Sequence, residues 1–167
     1  MPHIMKTIGR FLVLALAAVG MTACFDADYQ ATPRIYATKA YCTHVDGKRD
    51  TVDFSTYASC IVQLGDTVRV PLYVDGVYHP LTTFNVSGDV SALAYSLACD
   101  SASMRWLMPD SKPAEGYLHF ADSCYGMPLS LHYIAKVKGD FPLTFSLNSL
   151  ASKKYSHCEL QVIQSVR

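Results

Sequence analysis

The chain has 167 residues, 14 Lys and Arg against 14 Asp and Glu, and 50% hydrophobic residues, so its formal net charge is zero. With no Lys/Arg run and no interleaving of aromatic with basic residues, nucleic acid is excluded as an expected partner. The length suits one domain with a hydrophobic core of its own.

Lys6 and Arg10 introduce an unbroken apolar run, Phe11 to Val19, followed by Gly20. A run of about ten residues falls well short of the roughly twenty that span a bilayer as a helix. A basic start, a short apolar run and small residues after it read as a secretory signal. The run closes on Met21-Thr22-Ala23-Cys24. This stretch resembles the lipobox of bacterial lipoproteins, with Met21 where leucine is usual. Asp26 and Asp28 resemble the acidic export signal that follows the lipidated cysteine in Bacteroidota surface lipoproteins. The resemblance implies that residues 1–23 are a cleaved signal peptide and that Cys24 becomes an acylated N-terminus. Stable anchoring requires more than one membrane signal, which several acyl chains would provide. The alternative is an ordinary signal cleaved nearby, with Cys24 a structural thiol. Residues 24–33 lack a periodic pattern and read as a flexible tether. The domain then occupies 34–167, in a slightly negative mature chain of about 144 residues. The expected location is the cell envelope, as an outer-membrane lipoprotein on the periplasmic or the surface side.

Strand signals fill the domain. Arg34–Tyr41 (RIYATKAY) predicts a first strand, and Asp46-Gly47 a two-residue hairpin turn. Ser59–Leu64 predicts a short apolar strand. Thr67–Val74 (TVRVPLYV) alternates: Val68, Val70, Leu72 and Val74 face one way, Thr67, Arg69, Pro71 and Tyr73 the other. Pro71 cannot donate to a ladder, which predicts an edge or a bulge. Asp75-Gly76 predicts a second hairpin, returning through Val77–Val86 with Pro80 as another edge signal. Asp89–Ala98 fits a strand, Pro109–Gly116 a loop and Tyr117–Ala121 a return. Leu129–Gly139 alternates with Leu131, Tyr133, Ala135 and Val137 on one side and His132 and Ile134 on the other. Phe141–Ala151 and Cys158–Val166 complete the set, the last with Leu160, Val162, Ile163 and Val166 as its apolar positions. Short strands at roughly eight-to-twelve-residue spacing predict an all-β sandwich. Gly65–Gly76 and the closing strands resemble immunoglobulin-like domains of bacterial surface lipoproteins. A small closed β-barrel is the alternative fold.

Of the six cysteines, Cys42, Cys60, Cys99, Cys124 and Cys158 follow the anchor position. An extracytoplasmic address permits disulfides. Nearness along the chain suggests Cys42–Cys60 and Cys99–Cys124, leaving Cys158 unpaired. Cys42–Cys158 is an alternative, and so are five buried thiols.

No nucleophile elbow or Cys/His signature is present, and no catalytic residue is assigned. Cys124 with His119 and His132 is a combination that five scattered histidines produce by chance. Cys42-Thr43-His44 and His157-Cys158 place ligand types together, but neither matches the paired spacing of zinc sites. No metal and no cofactor are therefore expected. Asp50-Thr51-Val52, Asp66-Thr67-Val68 and Asp100-Ser101-Ala102 resemble the O-glycosylation sequon of Bacteroidota. Tyrosines and the single tryptophan offer flat amphipathic faces suited to sugars or proteins. Tyr36, Tyr41, Tyr73, Tyr78, Trp106 and Tyr117 are the candidates for such a surface. The expected function is a non-catalytic, lipid-anchored accessory that binds a glycan or an envelope protein. The alternatives are an envelope hydrolase, an enzyme inhibitor or a structural assembly subunit.

Overall fold

The computed structural model describes residues 31–54 and 60–167, apart from the side chain of Cys60. The signal 1–23, Cys24 and most of the tether therefore lie outside the described residues. Eleven strands are described: β1 Arg34–Tyr36, β2 Lys39–Thr43, β3 Arg49–Asp53, β4 Cys60–Val62, β5 Thr67–Asp75 and β6 Leu81–Ser87. They continue as β7 Leu93–Ala98, β8 Tyr117–His119, β9 Gly126–Ala135, β10 Gly139–Ser149 and β11 His157–Val166. One sheet, A, runs β3-β2-β5-β9-β7 with β1 also on β5, and the other, B, runs β4-β11-β10-β6-β8. Both are open. The fold is an all-β sandwich of the immunoglobulin-like class, not a closed barrel, and every described strand pair is antiparallel except β4 with β11.

Alternation fills the space between the sheets. Sheet A contributes Val68, Val70, Leu72 and Val74 of β5 and Met127, Leu129, Leu131, Tyr133 and Ala135 of β9. Sheet B contributes Phe84, Val86, Leu143, Phe145, Leu147, Val162 and Val166. Phe145 sits between two rings, edge-on to Phe54 at 6.1 Å and tilted against Phe84 at 6.3 Å. β11 departs from the sequence expectation. Ile163 faces solvent and Gln164 is 0% exposed, because strict alternation continues through Val162, Gln164 and Val166. The burial is compensated across the sandwich, where the Tyr133 hydroxyl donates to Gln164 Oε1.

Four expectations about strands, edges and turns change. Arg34–Tyr41 is not one strand but two, β1 and β2, which pair with opposite ends of β5. β5 is consequently central rather than an edge. β2 covers Thr67 to Arg69 and β1 covers Tyr73 to Asp75, and Pro71 falls in the gap between them. Pro142 sits likewise beyond the β6 pairing of β10, and Pro128 beyond the β7 pairing of β9. In each case no second neighbour asks for the missing N–H. The Asp46-Gly47 turn is longer than two residues. Only Gly47 takes a positive φ (83°), and the loop closes with Gly47 N–H on the His44 carbonyl and His44 N–H on the Lys48 carbonyl. Asp75-Gly76 does not make a hairpin: it carries the chain from β5 in sheet A to β6 in sheet B. Val77 absorbs that crossing at φ 61°, the one described non-glycine residue with positive φ.

Candidate functional site

The same alternation that buries β5, β2 and β9 inward sets their other residues on the outer face of sheet A. Register aligns them in rows. Thr51, Tyr41, Arg69, His132 and Ser96 form one row from β3 across to β7. Tyr36, Tyr73 and Pro128 form a second, through β1, β5 and β9. Tyr36, Tyr41 and Tyr73 are 44%, 48% and 45% exposed. The rings of Tyr36 and Tyr73 lie 6.3 Å apart at 46°, a continuous tilted aromatic surface. Arg34 lies near Tyr36 at its end, which raises the affinity of the guanidinium for its proton. Gly126 makes room for Tyr73: a Cβ there would meet its hydroxyl and the Val74 carbonyl, each at 2.9 Å.

Two shallow depressions flank Arg69 on this face. One, of about 360 Å³, is lined by Tyr41, Thr43, Arg49, Thr67 and Arg69. The other, of about 450 Å³, includes Arg69, Pro71, Pro128, Ser130 and His132, with Cys99 and Asp100 at its border. Burial, reinforced by the positive charge of Arg69, holds the His132 imidazole below its usual value of 6.5. At neutral pH the face therefore offers guanidinium donors, a neutral imidazole, hydroxyls and apolar rings.

The sequence candidates divide. Tyr36, Tyr41 and Tyr73 come together. Tyr78 is exposed in the β5–β6 crossing and interacts with Arg34. Trp106 and Tyr117 lie elsewhere and are half-buried. Trp106 packs on the core in a 3-10 turn, Ser103–Trp106, with the Arg105 guanidinium 4.9 Å from its ring centroid. Tyr117 belongs to β8 in sheet B. Arg49, Arg69 and His132 were absent from the candidates for this surface. The outward positions of TVRVPLYV and of Leu129–Gly139 carried the signal for the last two.

Cys99 and Cys124 do not pair as nearness along the chain suggests, and the Cys42–Cys60 pair falls partly outside the described residues. Cys99 and Cys124 are separate free thiols, Cys124 in the core and Cys99 at the border of the sheet A depression. Cys158 is free beside the backbone of Ile35, so it does not join Cys42. Burial raises all three above the usual thiol value, with Asp100 adding to Cys99 and Glu159 to Cys158. Cys42 carries a thiol directed at Asp66. Its proposed partner, Cys60, has an undescribed side chain. His119 and His132 do not meet around Cys124. His119 lies in sheet B with Nδ1 2.9 Å from the Asp110 carboxylate, whereas His132 is on the outer face of sheet A. Of the three sequon-like tripeptides, Thr51, Thr67 and Ser101 are exposed, but Asp66 is fully buried.

No family model matches the chain, and no curated protein does. Solved structures with similar coordinates include a DUF4466 family protein from Parabacteroides merdae ATCC 43184. It is 11% identical with a TM-score of 0.46, over 79% of this chain and 43% of that one. Domains 4 and 5 of the S-layer protein SbsC are 13% identical with a TM-score of 0.37, over 74% of this chain and 61% of theirs. A structure described as BspA_C_WT is 11% identical with a TM-score of 0.41, over 78% of this chain and 50% of its own. This chain thus spans 43%, 61% and 50% of those three, and the likeness is one of β-rich architecture alone.

Proposed function

We propose that this protein is a lipid-anchored envelope β-sandwich that binds a glycan, without catalysis, through the outer face of sheet A. The observation that carries this reading is the paired Tyr36–Tyr73 surface on the same sheet face as Arg69 and His132, one row beyond Pro71. Sugar rings present apolar C–H faces and a rim of hydroxyls. Tilted tyrosines meet the first, and Arg69, His132, Ser130 and Thr43 supply donors and acceptors for the second. Cys24 serves as the lipid attachment, and residues 25–33 let the domain stand off the membrane. The two depressions are shallow, which favours recognition of an extended chain over enclosure of a small molecule.

The test is a glycan array probed with the full chain, followed by Tyr73→Ala and Arg69→Ala. Each is expected to weaken binding at least tenfold while leaving thermal stability within a few degrees, because both side chains point outward. Wild-type protein that binds no glycan on the array would overturn the reading, as would binding indifferent to both substitutions. For the anchor, Cys24→Ser should abolish incorporation of a labelled fatty acid; unchanged incorporation would reject Cys24 as the attachment point. A protein partner is the second reading, favoured by the Tyr and Arg composition common to interface hot spots. Capture of one envelope protein, lost with Arg69→Ala in the absence of any glycan binding, would establish it instead.

A further inference from the structure

The turn before β5 and the hairpin after β2 bring three chemically distinct ligand types to one point. Cys42 is the fourth residue of β2 and points inward. His44 opens the β2–β3 loop, and Asp66 immediately precedes β5. Asp66 Oδ2 lies 3.2 Å from Cys42 Sγ and 2.9 Å from His44 Nδ1, and those two atoms are 3.9 Å apart. Backbone fixes all three. Gly65, at φ 87°, donates to the Ala135 carbonyl at 2.7 Å, and Ala135 N–H donates to the Asp66 carbonyl at 3.0 Å. His44 N–H is held by the Lys48 carbonyl at 2.8 Å.

The arrangement does not suit nucleophilic catalysis. A Cys–His–acid relay needs the acid on one imidazole nitrogen and sulfur on the other. Here sulfur and carboxylate approach the same nitrogen and share one oxygen. A metal ion requires that convergence. Bond lengths of about 2.3 Å to sulfur and about 2.0–2.1 Å to nitrogen and oxygen, at a tetrahedral angle, separate ligand atoms by roughly 3.3–3.6 Å. The observed separations lie within a few tenths of an ångström of that range. A second observation points the same way. Asp66 is fully buried, and its Oδ1 has no hydrogen-bond partner among the described residues. An unsatisfied buried carboxylate oxygen is costly, and a bound cation offsets that cost. His44, 26% exposed at its side chain, lines an open depression of about 520 Å³ with Val45, Asp46, Lys48 and Gln63, which gives an entry path and room for a water ligand.

We propose that Cys42, His44 and Asp66 bind one zinc-class divalent cation, with the fourth position left to solvent. On binding, the Cys42 thiol proton leaves to solvent, and a neutral His44 moves its proton from Nδ1 to Nε2, freeing Nδ1 as ligand. The soft sulfur and borderline imidazole select zinc over calcium or magnesium. This site is independent of the sheet A face, and its failure would leave the glycan reading untouched.

The test titrates the reduced full chain with Zn²⁺ against a chromogenic chelator, and with Co²⁺ followed by absorption. Expected are one ion per chain, a thiolate-to-cobalt charge-transfer band, no competition by a large excess of Ca²⁺, and protection of Cys42 from alkylation. Because Asp66→Asn removes a buried charge and can disturb folding, the deciding variants are His44→Ala, at a partly exposed position, and the near-isosteric Cys42→Ser. Each should weaken zinc at least tenfold, and Cys42→Ser should remove the band. Absence of zinc binding, a cobalt spectrum without the band, equal affinity for calcium, or zinc affinity unchanged in folded His44→Ala would overturn the proposal.

Discussion

Replacing Tyr133 with Phe removes one oxygen from the middle of the sandwich and leaves the ring in place. Its hydroxyl donates to Gln164 Oε1 across the two sheets, and both residues are shut off from solvent. Taking away that donor removes one buried hydrogen bond from the amide, at a cost of about 1–3 kcal/mol. Gln164→Leu takes this acceptor from the tyrosine hydroxyl and should cost a similar amount, reduced by the gain from an apolar side chain. The double variant removes both polar groups. It should therefore recover much of the loss, with a coupling energy of about 1–2 kcal/mol in the double-mutant cycle. Urea unfolding is the assay. With a slope of about 1.5–2 kcal/mol/M, a loss of ~2 kcal/mol moves the midpoint of each single variant down by about 1 M. Additive single effects, or a Tyr133→Phe midpoint equal to wild type, would refute the claim that this bond is what lets a glutamine occupy a core position.

Other consequences are as direct. Gly116 has φ 78°, and a Cβ there would come 2.9 Å from the Tyr95 ring and 3.0 Å from the Val86 carbonyl, so Gly116→Ala should cost more than about 1 kcal/mol in the same unfolding assay. Phe145→Ala, which empties the space between Phe54 and Phe84, should cost about 3–5 kcal/mol. The lowered proton affinity of His132 acts on stability with a defined sign. The folded state holds fewer protons than the unfolded one as pH falls below the unfolded value of 6.5, so this contribution is complete above that value and declines below it. Wild type should lose more thermal stability between neutral and mildly acidic pH than His132→Asn; an identical pH dependence would count against it. Cys99, Cys124 and Cys158, each held protonated by burial, should react slowly with a thiol reagent in native protein and quickly in denaturant. A peptide map showing Cys99 linked to Cys124 would contradict the structure at that point.

What could be read from residues alone was whatever alternation decides locally. TVRVPLYV gave the buried and exposed halves of β5 correctly, and with them Arg69 and Tyr73 of the outer face. The burial of Gln164 was not legible, because glutamine is normally a surface residue and Tyr133, to which it bonds, is 31 positions away. Asp75-Gly76 has the composition of a hairpin, but composition does not record which sheet the following strand joins. RIYATKAY reads as one strand because nothing within it marks that β5 pairs with its two ends separately. Cys42 and His44 were visible as a close pair. Asp66 was not, since a turn aspartate at that distance, 22 residues from His44, has no sequence mark of burial.

β5 connects these observations. Its inward residues Val68, Val70, Leu72 and Val74 are 0–3% exposed, so a slip of one residue would expose all four and bury Arg69 and Tyr73. The hydrophobic effect that fixes its register therefore fixes the outer face as well. Pro71 determines how the face is assembled. Because it offers no N–H, β2 can end its pairing at Arg69 and β1 begin at Tyr73, each at no loss of a hydrogen bond at residue 71. That exchange of neighbours is what sets Tyr41 beside Arg69 and Tyr36 beside Tyr73. At the strand's start, the same register holds Asp66 against the end of β9, where it meets Cys42 and His44. An exposed aromatic surface and a buried ligand cluster thus both depend on one strand being unable to shift.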